Sequence, residues 1–174
     1  KNIVDCIIGK NNAYPIALIP SRRQVDYNSG YVNNWTTKSF SDYVKSKNSN
    51  VIICRDHSGP KQGSVDDDGF ESLTHDCNHF DMIHIDPWKA YPDFEKGLVY
   101  TADMINHCLK INPNIKFEIG TEEAIKYFDS RYLRIMCTNL KKLLGKNFDS
   151  ITHVVIQSGT ALKGNNQIGT YDQE

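Results

Sequence analysis

The sequence lacks a long apolar run: none of its hydrophobic stretches approaches the roughly 20 residues that a membrane span requires. The first ten residues, KNIVDCIIGK, hold too short an apolar stretch for a secretory signal. It also lacks a dominant charge. With 20 Lys and Arg against 21 Asp and Glu, the formal net charge is −1, which argues against a nucleic-acid groove or an anionic membrane surface as the main partner. Paired cysteine motifs are missing too. Cys6, Cys54, Cys77, Cys108 and Cys137 are odd in number, scattered and mostly set among apolar neighbours, so they read as reduced thiols in a cytoplasmic compartment rather than as a disulfide framework or a CxxC metal site. No Gly-rich phosphate fingerprint follows the first apolar run, which weighs against a dinucleotide-binding sheet. What remains is a 174-residue chain with 39% hydrophobic and 24% charged residues, an ordinary globular composition that predicts one domain over 1–174.

Short apolar runs that end in polar or Gly residues recur at Ile16–Ile19, Val51–Cys54, Met82–Ile85, Ile115–Ile119 and Val154–Ile156. Runs this short and β-branched read as buried strands of a parallel sheet. Between them lie helix-like stretches. Ser39–Ser46 places Phe40, Tyr43 and Val44 on one face, and Phe70–Asn78 is a weaker pattern. Lys96–Leu109 has Leu98, Val99, Ala102, Ile105 and Leu109 at helical spacing, and Tyr132–Leu144 has Leu133, Met136, Leu140, Leu143 and Leu144. Thr121 followed by Glu122 and Glu123 suits a helix start, predicting a further helix over Thr121–Phe128. Alternation of strand and helix predicts α/β architecture with a parallel sheet. The repeat of about thirty residues matches a (β/α)8 TIM-barrel type, yet a whole barrel takes about 250 residues, so the expectation is a partial barrel. Lys61–Gly69, KQGSVDDDG, is the one polar, turn-rich loop long enough to act as a mobile lid.

The polar residues that interrupt or close these runs carry the functional signal. Val51–Pro60 reads VIICRDHSGP, so Asp56 and His57 sit at the carboxyl end of a strand, where ligands bind in open α/β sheets and barrels. In DMIHIDP, His84 and Asp86 are two apart and share a strand face. In IKFEIG, Glu118 lies inside an apolar strand, an expensive place for a carboxylate unless a cation or hydrogen-bond donors compensate it. Imidazoles and carboxylates converging from successive strands form the ligand set of a divalent metal with N/O preference, zinc or manganese among them, with His57, His84 and Glu118 as ligands. The competing reading pairs Glu118 with Lys116 or Arg55 in a structural ion pair and leaves His84 as a core histidine. Arg22, Gln24, Lys89, Gln157, Ser158 and Lys163 fall just after strand ends, where a ligand's hydroxyl or phosphate would be held. For Lys89 and Lys163 a solvated loop position is the competing reading. Tyr31, Trp35 and Trp88 are candidates to stack on a ligand's face or to pack.

These stretches, taken in order, carry a resemblance. Arg22-Arg23-Gln24-Val25-Asp26 with Ser29-Gly30-Tyr31, Asp56-His57-Ser58-Gly59-Pro60, Ile83-His84-Ile85-Asp86, Glu118-Ile119-Gly120-Thr121-Glu122, and Val154–Gly159 with Tyr171-Asp172 resemble the class II tagatose-bisphosphate aldolase subunit family of the GatZ/KbaZ type. The resemblance implies a barrel related to class II aldolases and metal-dependent ketose epimerases, acting on a keto-sugar or keto-sugar phosphate through a retro-aldol or enediolate route. It places Asp56 at the catalytic acid and His57 at a metal-ligand position, with Glu122 as a second catalytic carboxylate. It departs at Gln157–Gly164, QSGTALKG, where class II aldolases usually offer a metal-binding His and this chain has Ala161 and Leu162. It also implies that the chain begins after the first barrel strand and stops before the last ones. The alternative role it carries is a non-catalytic barrel subunit that stabilises a separate aldolase chain, and a homo-oligomer is the other partnership it allows.

Overall fold

The computed structural model describes residues 2–10, 15–120, 130–156, 160–163 and 166–169. In chain order these form helix α1 (Asn2–Lys10), strand β1 (Ala17–Leu18), α2 (Thr37–Lys47), β2 (Ile52–Ser58), α3 (Phe70–His79), β3 (Met82–Ile85), α4 (Phe94–Ile111), β4 (Lys116–Ile119) and α5 (Ser130–Leu144). A 3-10 turn over Gly145–Ser150 then leads into β5 (Ile151–Val154), and β6 (Thr160–Lys163) with β7 (Asn166–Gly169) forms an antiparallel pair. The helix expected at Thr121–Phe128 lies outside the described residues.

Local chemistry accounts for the boundaries. Thr36 caps α2 by accepting the Ser39 N–H while the Ser39 hydroxyl returns a bond to the Thr36 backbone, so two otherwise unpaired N–H groups of the first turn are satisfied. Asp93 caps α4 by accepting the Lys96 N–H at 3.0 Å, without a returned bond. The helix faces follow the apolar spacing, with two exceptions. In α4 the inward face is Leu98, Thr101, Ala102, Met104, Ile105 and Cys108, while Val99 is exposed; in α5 it is Met136, Leu140 and Leu144, while Leu143 is exposed. Helix α1 was not marked by any of the periodicity; Ile8 buries against the group that includes Phe40, Val44 and Ile53, and Asp5 accepts the Tyr43 hydroxyl at 2.7 Å.

The strands β1 to β5 form one parallel sheet in chain order. That order contains no reversal and hence no switch point of the doubly wound type, and it is compatible with part of a barrel. Ile53, Arg55, Ile83, Ile85, Phe117 and Ile119 form the buried face under the helices, whereas the alternating positions Ile52, Met82, Lys116 and Glu118 retain solvent access. The last strand lies three residues earlier than the VVI run predicts. Ile151 and Val154 are only half-buried and Thr152 and His153 are exposed, so β5 is not the fully covered strand that a continuous apolar run signals.

The ladder between β2 and β3 is irregular at one point. Arg55 pairs with Ile83 and Ser58 with Ile85, so β2 advances three residues where β3 advances two, a bulge that contains Asp56 and His57.

Candidate functional site

Ordinary alternation would send Asp56 and His57 to opposite sides of the sheet. The bulge removes that conflict, with His57 at a φ of 43°, in the left-handed region that few non-glycine residues adopt. Both side chains are half-exposed at the carboxyl end of β2, and His57 Nε2 lies 3.7 Å from Asp56 Oδ1. The neighbouring Ser58-Gly59-Pro60 predicts that the backbone leaves strand geometry at this pair, and in the structure it does so there.

His84 arrives from β3, its ring centroid 4.6 Å from that of His57. Asp56, His57 and His84 each offer one ligand-type atom, and these atoms lie within 4.8 Å of one another. His84 is buried, and among the described residues its Nε2 has no hydrogen-bond partner. Its Nδ1 is 3.5 Å from Glu118 Oε2, the residue in register on β4. Burial, then the neighbouring His57, lowers the His84 pKa below the ordinary imidazole value; the carboxylates of Glu118, Asp86 and Asp56 pull the other way without prevailing. A neutral imidazole with a buried, unpartnered nitrogen is a group prepared for a cation or a donor. The donor set, two imidazoles and a carboxylate, therefore fits a divalent ion of N/O preference.

Asp86 lies behind His57. Its Oδ2 is 2.7 Å from His57 Nδ1 and accepts Gln62 Nε2 at 2.8 Å, while Oδ1 accepts the Trp88 N–H at 3.2 Å. Burial works against its charge, yet the His57 bond and the Trp88 N–H hold its carboxyl below the usual range. Cys54, on the same strand as His57, is pushed up to about 12, first by burial and then by the Glu118 and Asp56 charges, so its thiol stays protonated.

The remaining sequence-predicted residues have varied surroundings. Glu118 touches His84 but is not part of the cluster of mutually close ligand atoms, in which Asp56 takes the third place. Arg22, 1% exposed, bonds to Asp26 Oδ2, to both Asp67 oxygens and to the Gly59 carbonyl. Gln24 Oε1 accepts the Ser21 N–H at 2.9 Å. Lys89 is exposed and donates to Gln62 Oε1 at 2.7 Å. Glu122, Gln157 and Ser158 lie outside the described residues; Lys163 ends β6, and its side chain is likewise outside them. Trp35 and Trp88 are core residues, whereas Tyr31 is exposed. The loop over Lys61–Gly69, expected to be free to move, is fastened in its second half by the Arg22–Asp67 pair at 2.6 Å and in its first half by buried Gln62. Gln62 was missed because a loop glutamine carries no periodic signal. His153, in register with Glu118, was missed because the apolar run places the strand three residues too late.

No family model matches the chain, and no curated protein sequence does. Among solved structures, the chain resembles a probable tagatose 6 phosphate kinase from Sinorhizobium meliloti 1021, with a TM-score of 0.76 at 15% identity, over 95% of this chain and 48% of that one. A likeness at this identity shows the fold alone. The chain spans about half the length of that neighbour.

Proposed function

We propose that the chain is part of a cytoplasmic α/β barrel that performs metal-assisted retro-aldol cleavage or epimerisation of a keto-sugar or keto-sugar phosphate, as the resemblance to the tagatose-bisphosphate aldolase subunit family implies. The observation that carries this reading is the Asp56, His57 and His84 cluster, whose His84 Nε2 has no partner among the described residues, at the carboxyl ends of adjacent parallel strands. His57, His84 and a carboxylate oxygen of Asp56 or Glu118 would hold zinc or manganese. When bound, the ion would supply Lewis-acid polarisation of a ketose carbonyl.

The chain's own residues do the rest. Asp86 orients His57, and burial keeps His84 in its neutral form. Asp56, half-exposed beside His57, is placed to take a proton at a carboxylate oxygen from the substrate's hydroxyl or α-carbon and to return it. Glu122, together with Gln157, Ser158, Lys89 and Lys163, remains proposed for proton transfer and sugar contacts as the resemblance implies. The five free cysteines support the cytoplasmic setting. Among the described residues no helix is long and apolar enough to cross a membrane.

A second reading, the non-catalytic partner of a separate aldolase chain, is favoured by one observation: Arg22, the one arginine among the sequence-predicted binding residues, is engaged by Asp26 and Asp67. Metal analysis of the purified protein, followed by aldol and epimerase assays with and without chelator, separates the two. Bound divalent ion with turnover lost on chelation supports the enzyme; no turnover alone, with activation of an added class II aldolase, supports the partner.

A further inference from the structure

We infer that Gln62 is a positioning residue for His57: acting through Asp86, it fixes which imidazole nitrogen carries the hydrogen and which is offered to a cation. The inference rests on the proposed metal site for its purpose, but its geometry is independent of any ion. Gln62 is 5% exposed, and its Nε2 donates to both the Asp86 carbonyl at 3.2 Å and Asp86 Oδ2 at 2.8 Å. Its Oε1 accepts from Lys89 Nζ at 2.7 Å. The orientation of the amide is thereby determined. A lysine ammonium can only donate and a carboxylate can only accept, so reversing the amide would set oxygen against two oxygens and NH2 against an ammonium.

Asp86 Oδ2 then faces two donors, Gln62 Nε2 and His57 Nδ1. An ionised carboxylate offers no hydrogen, so His57 must carry one on Nδ1, and in the neutral ring the lone pair resides on Nε2. Nε2 is the nitrogen turned toward Asp56. Without Gln62, Asp86 Oδ2 loses a donor in a buried setting and the carboxylate is held against rotation away from the ring only by the 3.2 Å Trp88 N–H bond to Oδ1. Outer partners of this kind commonly set metal affinity by about 10- to 100-fold.

The test uses the metal-free protein, labelled with nitrogen-15, at a pH about two units above the ordinary imidazole value. Long-range proton–nitrogen correlation reads the His57 tautomer, and calorimetric titration with zinc reads affinity. The expected result is an Nδ1–H tautomer in the unsubstituted protein, a mixture of tautomers in Gln62→Leu, and zinc affinity about 10- to 100-fold lower, with cooperative unfolding retained. Should Gln62→Leu fail to fold, Gln62→Asn keeps the amide but withdraws it by one methylene and is read the same way. A folded variant in which either readout matches the unsubstituted protein overturns the inference. If the unsubstituted protein takes up neither zinc nor, in a parallel titration, manganese, the proposed function fails, and the tautomer comparison alone decides the role of Gln62.

Discussion

Arg55 and Asp76 meet in a two-pronged ion pair, Nε to Oδ2 at 2.8 Å and Nη2 to Oδ1 at 2.7 Å, with both side chains wholly inaccessible to solvent. The guanidinium also donates to the Pro20 and Val25 carbonyls and to the Thr37 hydroxyl, and it lies over the Phe80 ring at 4.8 Å. One side chain thus ties β2 to α3, to the start of α2 and to the segment after β1. Removing one partner strands the other charge in the core, so Asp76→Ala is expected to lower unfolding free energy by about 3–5 kcal/mol in urea titrations. Replacing both, Arg55→Met with Asp76→Leu, is expected to recover much of that loss. A single variant with unchanged stability would contradict this account of the core.

Asp56 and His57 are neighbours in sequence but are assigned separable duties. Asp56→Asn keeps the shape and removes the proton-transfer capacity, so turnover of a responsive keto-sugar is expected to fall by about 10² to 10⁴, with metal content kept if Glu118 supplies the carboxylate oxygen and lowered if Asp56 does. His57→Ala is expected to lower metal content and turnover together. Elemental analysis and rate measurement on the same preparations check both, and near-normal turnover in Asp56→Asn would favour the non-catalytic subunit.

Acid should weaken the fastening of the Lys61–Gly69 loop. The hydrogen bond from Arg22 holds the Asp67 carboxyl below its ordinary value of 3.8, against an opposing contribution from burial, with the Arg22 charge and the Gly69 N–H assisting. A pKa lowered on folding stabilises the folded state fully above the unfolded value and loses that contribution as pH falls through the folded one. Asp67→Asn is therefore expected to be less stable than the unsubstituted protein at neutral pH, with the difference shrinking once the pH drops below 3.8. Urea midpoints measured across this range check the convergence, and a constant gap would rule out the Arg22–Asp67 pair as its source.

The β3 strand at Met82–Ile85 and the long helices were legible because each rests on a local repeat of apolar residues, and burial of those residues is what stabilises the element. His57 and His84 were legible as a pair for a related reason: a polar side chain at the end of an apolar run has few structural uses. Three things were not. The Arg22–Asp67 contact joins residues 45 apart in the chain, and nothing in either neighbourhood announces the other. Gln62 acquires its proposed role from a carboxylate 24 residues further along, just past the end of β3. The start of β5 was obscured because the 3-10 turn over Gly145–Ser150 delivers the chain into the sheet earlier than its apolar residues suggest.

The extra residue in β2 makes the chemistry and the sheet respond differently to length. Deleting a single position between Arg55 and Ser58 would return β2 to equal step with β3, and the ladder on either side could close unchanged. Such a strand would be the more regular one, yet only one of the Asp56 and His57 positions would survive to face the cluster. The site depends on two residues of β2 standing opposite the single His84 of β3, so a one-residue deletion here is the smallest change expected to leave the architecture whole and its proposed reaction lost.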